Sequence, residues 1–427
     1  MVRESPEYWT SADECEHSNA VLEWWAIESF FETLENNKKW SLKAVFTEWA
    51  NKSNIGSKLN FVLLDVEKNK HFVYYRKRNK KLSSQKNKLN ITFGKNYFRG
   101  HYPKYGFHVI DDKNDINTFL EYTSTSYPYW VAKNITDGYL PMGLGFFKYG
   151  FIPKNKINGK IKIKNKQYSL KGVGYFEHVW GDFFYDNPLS TISSIKKSIP
   201  IYFKLGGWWL KNHRIKIPNN IKFATENNPF GYDWAWAILD NGWSIFYGNV
   251  LFWLMKGPVA GTLIVTKDGK KYKEYGNVSF QYKQTAYSKN YDFYYPTEII
   301  ISAEDKNEKL NLKFTMTKEV NEYISRFSEG KYWIALVICE ALGKVEGRYL
   351  DEGKEKKLKG IAKIEPQRQV SILGHNSLEI DFKKPPNGVG FDCKLDSNFL
   401  KKNLSAKLQL APYPSVKFNV NRKSKKE

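Results

Sequence analysis

Apolar and polar residues alternate along most of the chain in short runs, the two-residue period of strands rather than the 3.6-residue period of helices. The first run, Leu22 to Leu34, has Leu, Trp and Phe at mixed spacings and by itself also admits a helix. The partner run Trp40 to Trp49 follows after the polar turn Asn36-Asn37-Lys38-Lys39, so the two together predict a hairpin of aromatic strands. Further strands are predicted at Lys58 to Val66, His71 to Arg76, Leu89 to Phe93, Asn96 to Tyr102 and Tyr105 to Asp111. Short strands at even spacing predict a sandwich or barrel. In Lys156 to Lys164, Lys and Ile alternate around Asn158-Gly159, a pair that predicts a hairpin turn there.

The stretch Gly172 to Gly181 organises the first half. As a strand it places Gly172, Gly174, Phe176, His178 and Trp180 on one face, and Val173, Tyr175, Glu177 and Val179 on the other. Two glycines admit a close backbone or ligand, and the same face ends in an imidazole and an indole, which predicts a pocket floor with chemistry at one end. The passage Asp182 to Asn228 carries Pro188, Pro200, Pro218 and the pair Trp208-Trp209; it is irregular and is read as the link between domains, with a short helix possible over Asp186 to Lys197. Tyr232 to Tyr247 is a second aromatic hairpin around Asn241-Gly242. There Tyr232, Trp234 and Trp236 share one face while Asp233 points the other way with Ala235 and Ala237. Strand-like runs continue to about Val420, with turns at 267–270, 305–307 and 351–353 and a charged tail from Arg422.

Leu358-Lys359-Gly360 to Glu365 repeats Leu170-Lys171-Gly172 to Glu177, with Leu, Lys, Gly and Glu at the same spacing. A duplicated β-domain is the expectation, divided as residues 1–210 and 211–427. Gly172 and Glu177 then serve architecture, whereas His178 and Trp180, matched by Pro366 and Arg368, belong to one copy only.

Composition sharpens this picture. With 14 Trp, 28 Tyr and 28 Phe in 427 residues, the chain suits wide, aromatic-lined β-structure. The formal charge of +23 is mostly Lys, spread along the chain and locally dense in the loop 76–88; solvated loops and compositional bias account for it better than nucleic-acid binding, and a weak attraction to anionic membrane surfaces stays open. Cys15, Cys339 and Cys393 are far apart and the seven histidines have no HxH or HExxH spacing, so neither a disulfide framework nor a metal or other cofactor is expected. Residues 1–20 lack a signal-peptide pattern and no run reaches the roughly 18 apolar residues of a membrane span, so a cytoplasmic location is the expectation. The oligomeric state is not readable.

Glu23-Trp24-Trp25, Gly100-His101-Tyr102-Pro103, the element from Gly172 to Gly181 and Asp233-Trp234-x-Trp236, in that order, resemble the AttH-like and carotenoid-hydratase (hydroxyneurosporene synthase) superfamily. The markers span about residues 20–250. The resemblance implies all-β architecture, two lipocalin-like antiparallel barrels or sandwiches packed together, around an apolar pocket. It also implies a hydrophobic, isoprenoid or lipid, small-molecule partner, in a family that includes lyases adding water to an isoprenoid double bond and proteins guiding cyclisations.

Hydrating an unactivated alkene needs an acid that protonates carbon, a wall that tolerates a carbocation, and a held water. Trp180, Tyr232, Trp234 and Trp236 suit the wall, with Glu23 and Trp25 of the first hairpin among the ligand-binding candidates. Asp233 or Asp182 suits the acid, and His178 suits the proton relay or the water. Each also has a plain reading: His178 as a hydrogen-bonded strand-end residue, the tryptophans as core, Asp233 and Glu23 as turn or ion-pair acids. A non-catalytic lipid carrier of the same fold is the competing function.

Overall fold

The computed structural model describes residues 9–50, 55–85, 88–142, 145–183, 192–212, 220–225, 230–251, 260–291, 293–325, 334–371, 376–381, 390–395, 403–409 and 415–421. The charged tail from Arg422 lies outside them, as do Pro188 and Pro218.

Thirteen strands occupy the first half: β1 (Leu22–Thr33), β2 (Lys39–Ala50), β3 (Ile55–Asp65), β4 (Lys70–Arg78), β5 (Ser83–Gln85), β6 (Lys88–Phe93), β7 (Asn96–His101), β8 (Lys104–Asp111), β9 (Ile116–Ser124), β10 (Tyr129–Trp130), β11 (Tyr139–Met142), β12 (Gly145–Ile163) and β13 (Lys166–Asp182). They form one sheet in the order β4-β3-β2-β1-β13-β12-β9-β8-β7-β6-β5, with β10 and β11 also paired to β12. Helices α1 (Lys133–Thr136) and α2 (Ile192–Asn212) interrupt the strands. The second half continues with β14 (Asn220–Thr225), β15 (Phe230–Leu239), β16 (Ser244–Leu251), β17 (Ala260–Thr266), β18 (Tyr272–Tyr275), β19 (Asn277–Ser288), β20 (Phe293–Asp305), β21 (Glu308–Met316), β22 (Asn321–Ser325), β23 (Ile334–Asp351) and β24 (Lys354–Ser371). A third group, β25 (Asn376–Asp381), β26 (Gly390–Leu395), β27 (Asn403–Gln409) and β28 (Ser415–Asn421), joins β14 in a five-stranded sheet.

The remaining sheet runs β18-β17-β16-β15-β24-β23-β21-β20-β19. Position by position this is the order β4-β3-β2-β1-β13-β12-β9-β8-β7 of the first sheet. Each contains one long hairpin, β12/β13 and β23/β24, whose return strand carries the repeated Leu-Lys-Gly pattern and pairs with the first strand of its set. The eight-residue repeat is therefore the trace of a duplication that the strand order displays far more fully. The chain is all-β in two lipocalin-like parts. Its compact units are Met1–Trp208 with Trp236–Phe246 and Ile264–Glu274, and Trp209–Ala235 with Tyr247–Leu263 and Tyr275–Glu427.

Within the first unit, β1 is buried on both faces, which explains the near-continuous apolar run that admitted a helix reading. Trp25, Ile27 and Phe31 face an inner core with Phe46, Phe98, Phe107 and Phe176. Phe30 points the other way and stacks on Trp236 at 4.9 Å, beneath Tyr175 and near Phe151 and Phe246.

Two local expectations are corrected. Asn158-Gly159 is not a turn: β12 runs straight through it to Ile163, and Lys164 takes the left-handed conformation at φ 56° instead. Gly159 is needed there because a Cβ would lie 2.1 Å from the Phe119 carbonyl oxygen of the neighbouring strand. The short helix expected to end near Lys197 is a 21-residue helix, Ile192–Asn212, with Pro200 inside it. Asn241-Gly242 does turn, with Gly242 at φ 84°.

Candidate functional site

The predicted motifs of the first unit meet on a segment to which the sequence pattern assigned nothing, Trp9 to His17. Around its single 3-10 turn, Ser11–Asp13, it enters the mouth of the inner core. Trp9 packs on Trp130 at 4.9 Å and edge-on to Phe176 at 6.2 Å. Trp25 of the first hairpin donates its indole N–H to the Glu14 carbonyl at 2.9 Å. Tyr102, of the Gly100 to Pro103 motif, donates its backbone N–H to Glu14 Oε1 at 2.9 Å. His178 places Nδ1 2.6 Å from the Asp13 carbonyl.

Glu14 is the first focus. Its Oε1 accepts three hydrogen bonds, from Tyr102 N, from Trp9 Nε1 at 2.8 Å and from the Tyr105 hydroxyl at 2.5 Å. Its Oε2 is buried and accepts none among the described residues. Burial in this aromatic cage lifts the carboxyl above its ordinary range, although Tyr105, Trp9 and Tyr102 each pull the other way. Burial thus favours the acid form, and the unbonded oxygen is the place for its proton.

The second focus is His178, Glu23 and His17. β1 and β13 pair Trp25 opposite His178 and Glu23 opposite Trp180, so the period of two brings all four side chains to one face. His178 stacks on Trp25 at 4.6 Å and His17 on Trp180 at 3.8 Å. Glu23 Oε1 lies 2.8 Å from His178 Nε2 and 2.7 Å from His17 Nδ1, and the His17 backbone N–H is 2.9 Å from Oε2. His178 is fully buried and Glu23 nearly so, whereas the His17 side chain is 25% exposed. Burial pushes Glu23 up, but the hydrogen bonds from His17 and His178 outweigh it and hold the carboxyl below its ordinary range. Burial draws His178 toward its neutral form, opposed by Glu23.

A carbonyl only accepts, so the Nδ1 proton of His178 is committed to Asp13. Something positive must then stand between His178 Nε2 and Glu23 Oε1. The three ligand atoms lie within 4.8 Å of one another, a set able to hold a metal ion. The linear spacing hid it, since the residues are numbered 17, 23 and 178.

The other expected residues are placed as follows. Trp180 forms one wall, with Lys148 Nζ 5.9 Å above its ring. Glu177 points to the opposite face, where it accepts from Trp24, Tyr149 and Tyr175. Asp182, at the end of β13, accepts from the Ser194 hydroxyl of α2. Trp236 is core of the first unit and donates to the Pro153 carbonyl at 2.8 Å. Asp233, Tyr232 and Trp234 belong to the second unit. Asp233 is fully buried there, 2.8 Å from the Arg368 guanidinium, with Asn249 at 2.9 Å and the Tyr282 hydroxyl also bonded to it. Trp234 is buried, and the Tyr232 carbonyl accepts from Arg368 at 3.1 Å.

No family model and no curated protein matches this chain by sequence. Among solved structures, a candidate AttH protein of Nitrosomonas europaea matches with TM-score 0.57 at 16% identity, over 85% of this chain and 97% of that one. Kievitone hydratase of Nectria haematococca matches with TM-score 0.56 at 13% identity, over 84% of this chain and 92% of that one. The chain therefore has the fold of AttH-like and hydratase-type proteins along most of its length.

Proposed function

We propose that the protein binds an unsaturated hydrophobic molecule, of isoprenoid or lipid class, and protonates it from Glu14 to start hydration or cyclisation. One observation carries this reading: a buried carboxyl holds three donors on Oε1 and, among the described residues, has no partner on Oε2. In hydration, the Glu14 proton forms a C–H bond as the π bond breaks, leaving a carbocation that the surrounding indole and phenol faces stabilise. Water then adds to the cation and returns a proton to the carboxylate. Glu14 is preferred to Asp233 as the acid because the Asp233 carboxyl is already engaged by Arg368 at 2.8 Å, by Asn249 and by Tyr282. The shared fold with a hydratase supports the reaction class.

The test is incubation of the purified chain with a panel of polyprenoids and unsaturated lipids in heavy-oxygen water. Label should enter the product, and Glu14→Gln should lower the rate by about 10²- to 10⁴-fold, the usual contribution of a general acid. Neither labelled nor cyclised product across the panel would overturn catalysis, and undiminished turnover by Glu14→Gln would overturn Glu14 as its acid.

The competing carrier reading is favoured by the near-complete burial of Glu14, at 1% exposure. It predicts a ligand that co-purifies with unchanged mass in native mass spectrometry and is bound equally by Glu14→Gln.

A further inference from the structure

We infer that His17, Glu23 and His178 form a site for a single zinc-class divalent ion, which fastens the Trp9 to His17 segment to the barrel. Two imidazoles and one carboxylate with a position left over are the donors of an open zinc site, distinct from the closed sulfur-rich sets of structural zinc. Here the donors converge from three elements: β1 supplies Glu23, β13 supplies His178, and the N-terminal segment supplies His17.

Two further features are those of a metal site. His178 gives its Nδ1 proton to the Asp13 carbonyl, so Nε2 is the nitrogen turned to Glu23 Oε1, where a metal ion would take the place of the proton that now bridges them. Metal-bound histidines are held in this way by an outer partner. The non-ligating oxygen of Glu23 is fixed by the His17 backbone N–H, so the carboxylate is oriented as well. Trp25 and Trp180 cover the two rings and limit water to the His17 side.

The fit requires a small expansion. A tetrahedral ion about 2.0–2.2 Å from each donor spreads neighbouring donors to roughly 3.3 Å. Glu23 Oε1 is 2.7 and 2.8 Å from the two imidazole nitrogens and must draw back from each by about half an ångström, while all three donor atoms lie within 4.8 Å of one another. His17, partly exposed and outside any strand, can supply that movement. Its side also leaves the fourth position open to water or a ligand atom.

The experiment needs no catalytic assay. The full chain is freed of metal, dialysed against cobalt(II) as a spectroscopic stand-in for zinc, desalted, and measured for metal content and visible absorption. One cobalt per chain is expected, with intense tetrahedral-type bands that zinc abolishes. His17→Ala, at the accessible edge, should fold as the parent does and bind at least about 10- to 100-fold more weakly, the loss that even an outer-partner change brings. His71→Ala should bind as the parent. Zinc should raise the thermal midpoint of the parent and not of His17→Ala. Substoichiometric cobalt in the desalted parent, or unchanged binding by His17→Ala, would refute the site. Neither result bears on Glu14, whose test reads product.

Discussion

The Tyr105 hydroxyl stands 2.5 Å from Glu14 Oε1, the oxygen that already holds Trp9 and Tyr102. This bond favours the carboxylate, while burial, the larger influence, favours the acid. Tyr105→Phe removes the former and leaves the latter, so the Glu14 carboxyl should titrate at higher pH than in the parent. A carbon-labelled glutamate signal followed by NMR reports it directly. Because the folded value lies above the unfolded one, the stability linked to Glu14 is complete below the ordinary value of 4.5 and is lost as pH rises through the folded value. The substitution should thus carry this stability to higher pH, at a cost of about 1 kcal/mol for the lost bond. A titration midpoint that stays or falls would show that the hydroxyl does not act on Glu14.

Gly150 fixes how deeply the N-terminal segment sits. A Cβ there would lie 2.4 Å from the Trp130 ring and 2.5 Å from the Trp9 ring. Gly150→Ala should therefore cost about 1–3 kcal/mol by overpacking. Trp9 is the group free to yield, so early proteolytic cleavage between residues 10 and 20 is expected. Unchanged cleavage and an unchanged thermal midpoint would mean that Trp9 is not held against this strand.

The strands were legible because alternation reports which face is buried, and the two aromatic hairpins carried that signal together with polar turns. Asn158-Gly159 shows where it fails. The same dipeptide that turns the chain at residues 241–242 serves at 158–159 to let the Phe119 carbonyl approach, a tertiary demand invisible to local chemistry. Pro200, Gly206 and Gly207 interrupt the helical pattern of α2, so local chemistry supports only its beginning. His178 stands out because the strand period fixes its face, and Glu23 and Trp25 because they belong to the Glu23-Trp24-Trp25 marker; the pairing of β1 with β13 brings them together. Glu14 and His17 carry no such signal, since they sit in an aperiodic polar segment; Glu14 meets Tyr102 and Tyr105 across 88 and 91 residues, and His17 joins Glu23 only through the fold of that segment.

In the second unit, Asp233 and Arg368 form an ion pair with side chains 0% and 1% exposed. Arg368→Met should destabilise by about 3–5 kcal/mol, because it leaves a buried carboxylate without its cation. Replacing both, Asp233→Leu with Arg368→Met, should recover most of the loss, apart from the Tyr282 and Asn249 groups that lose an acceptor. A urea double-mutant cycle measures the coupling. Strictly additive losses would show that the two side chains do not depend on one another.

Glu48 faces Glu23 across the β1–β2 pair and lies 3.3 Å from Lys81 Nζ. Burial lifts its carboxyl to about 8, against the pull of Lys81 and with the nearby Glu16 and Glu23 adding to the rise. The sign follows from linkage: stability is full below the unfolded value of 4.5 and declines as pH climbs to about 8, where the folded group ionises. Glu48→Gln removes the ionisation, so the fall in urea midpoint between about pH 5 and about pH 9 should shrink relative to the parent. Lys81→Met should enlarge it, because Lys81 is the cation that opposes burial at Glu48. If Glu48→Gln declines with pH as steeply as the parent, the alkaline loss arises elsewhere, with the raised Glu14 carboxyl as the next group to replace.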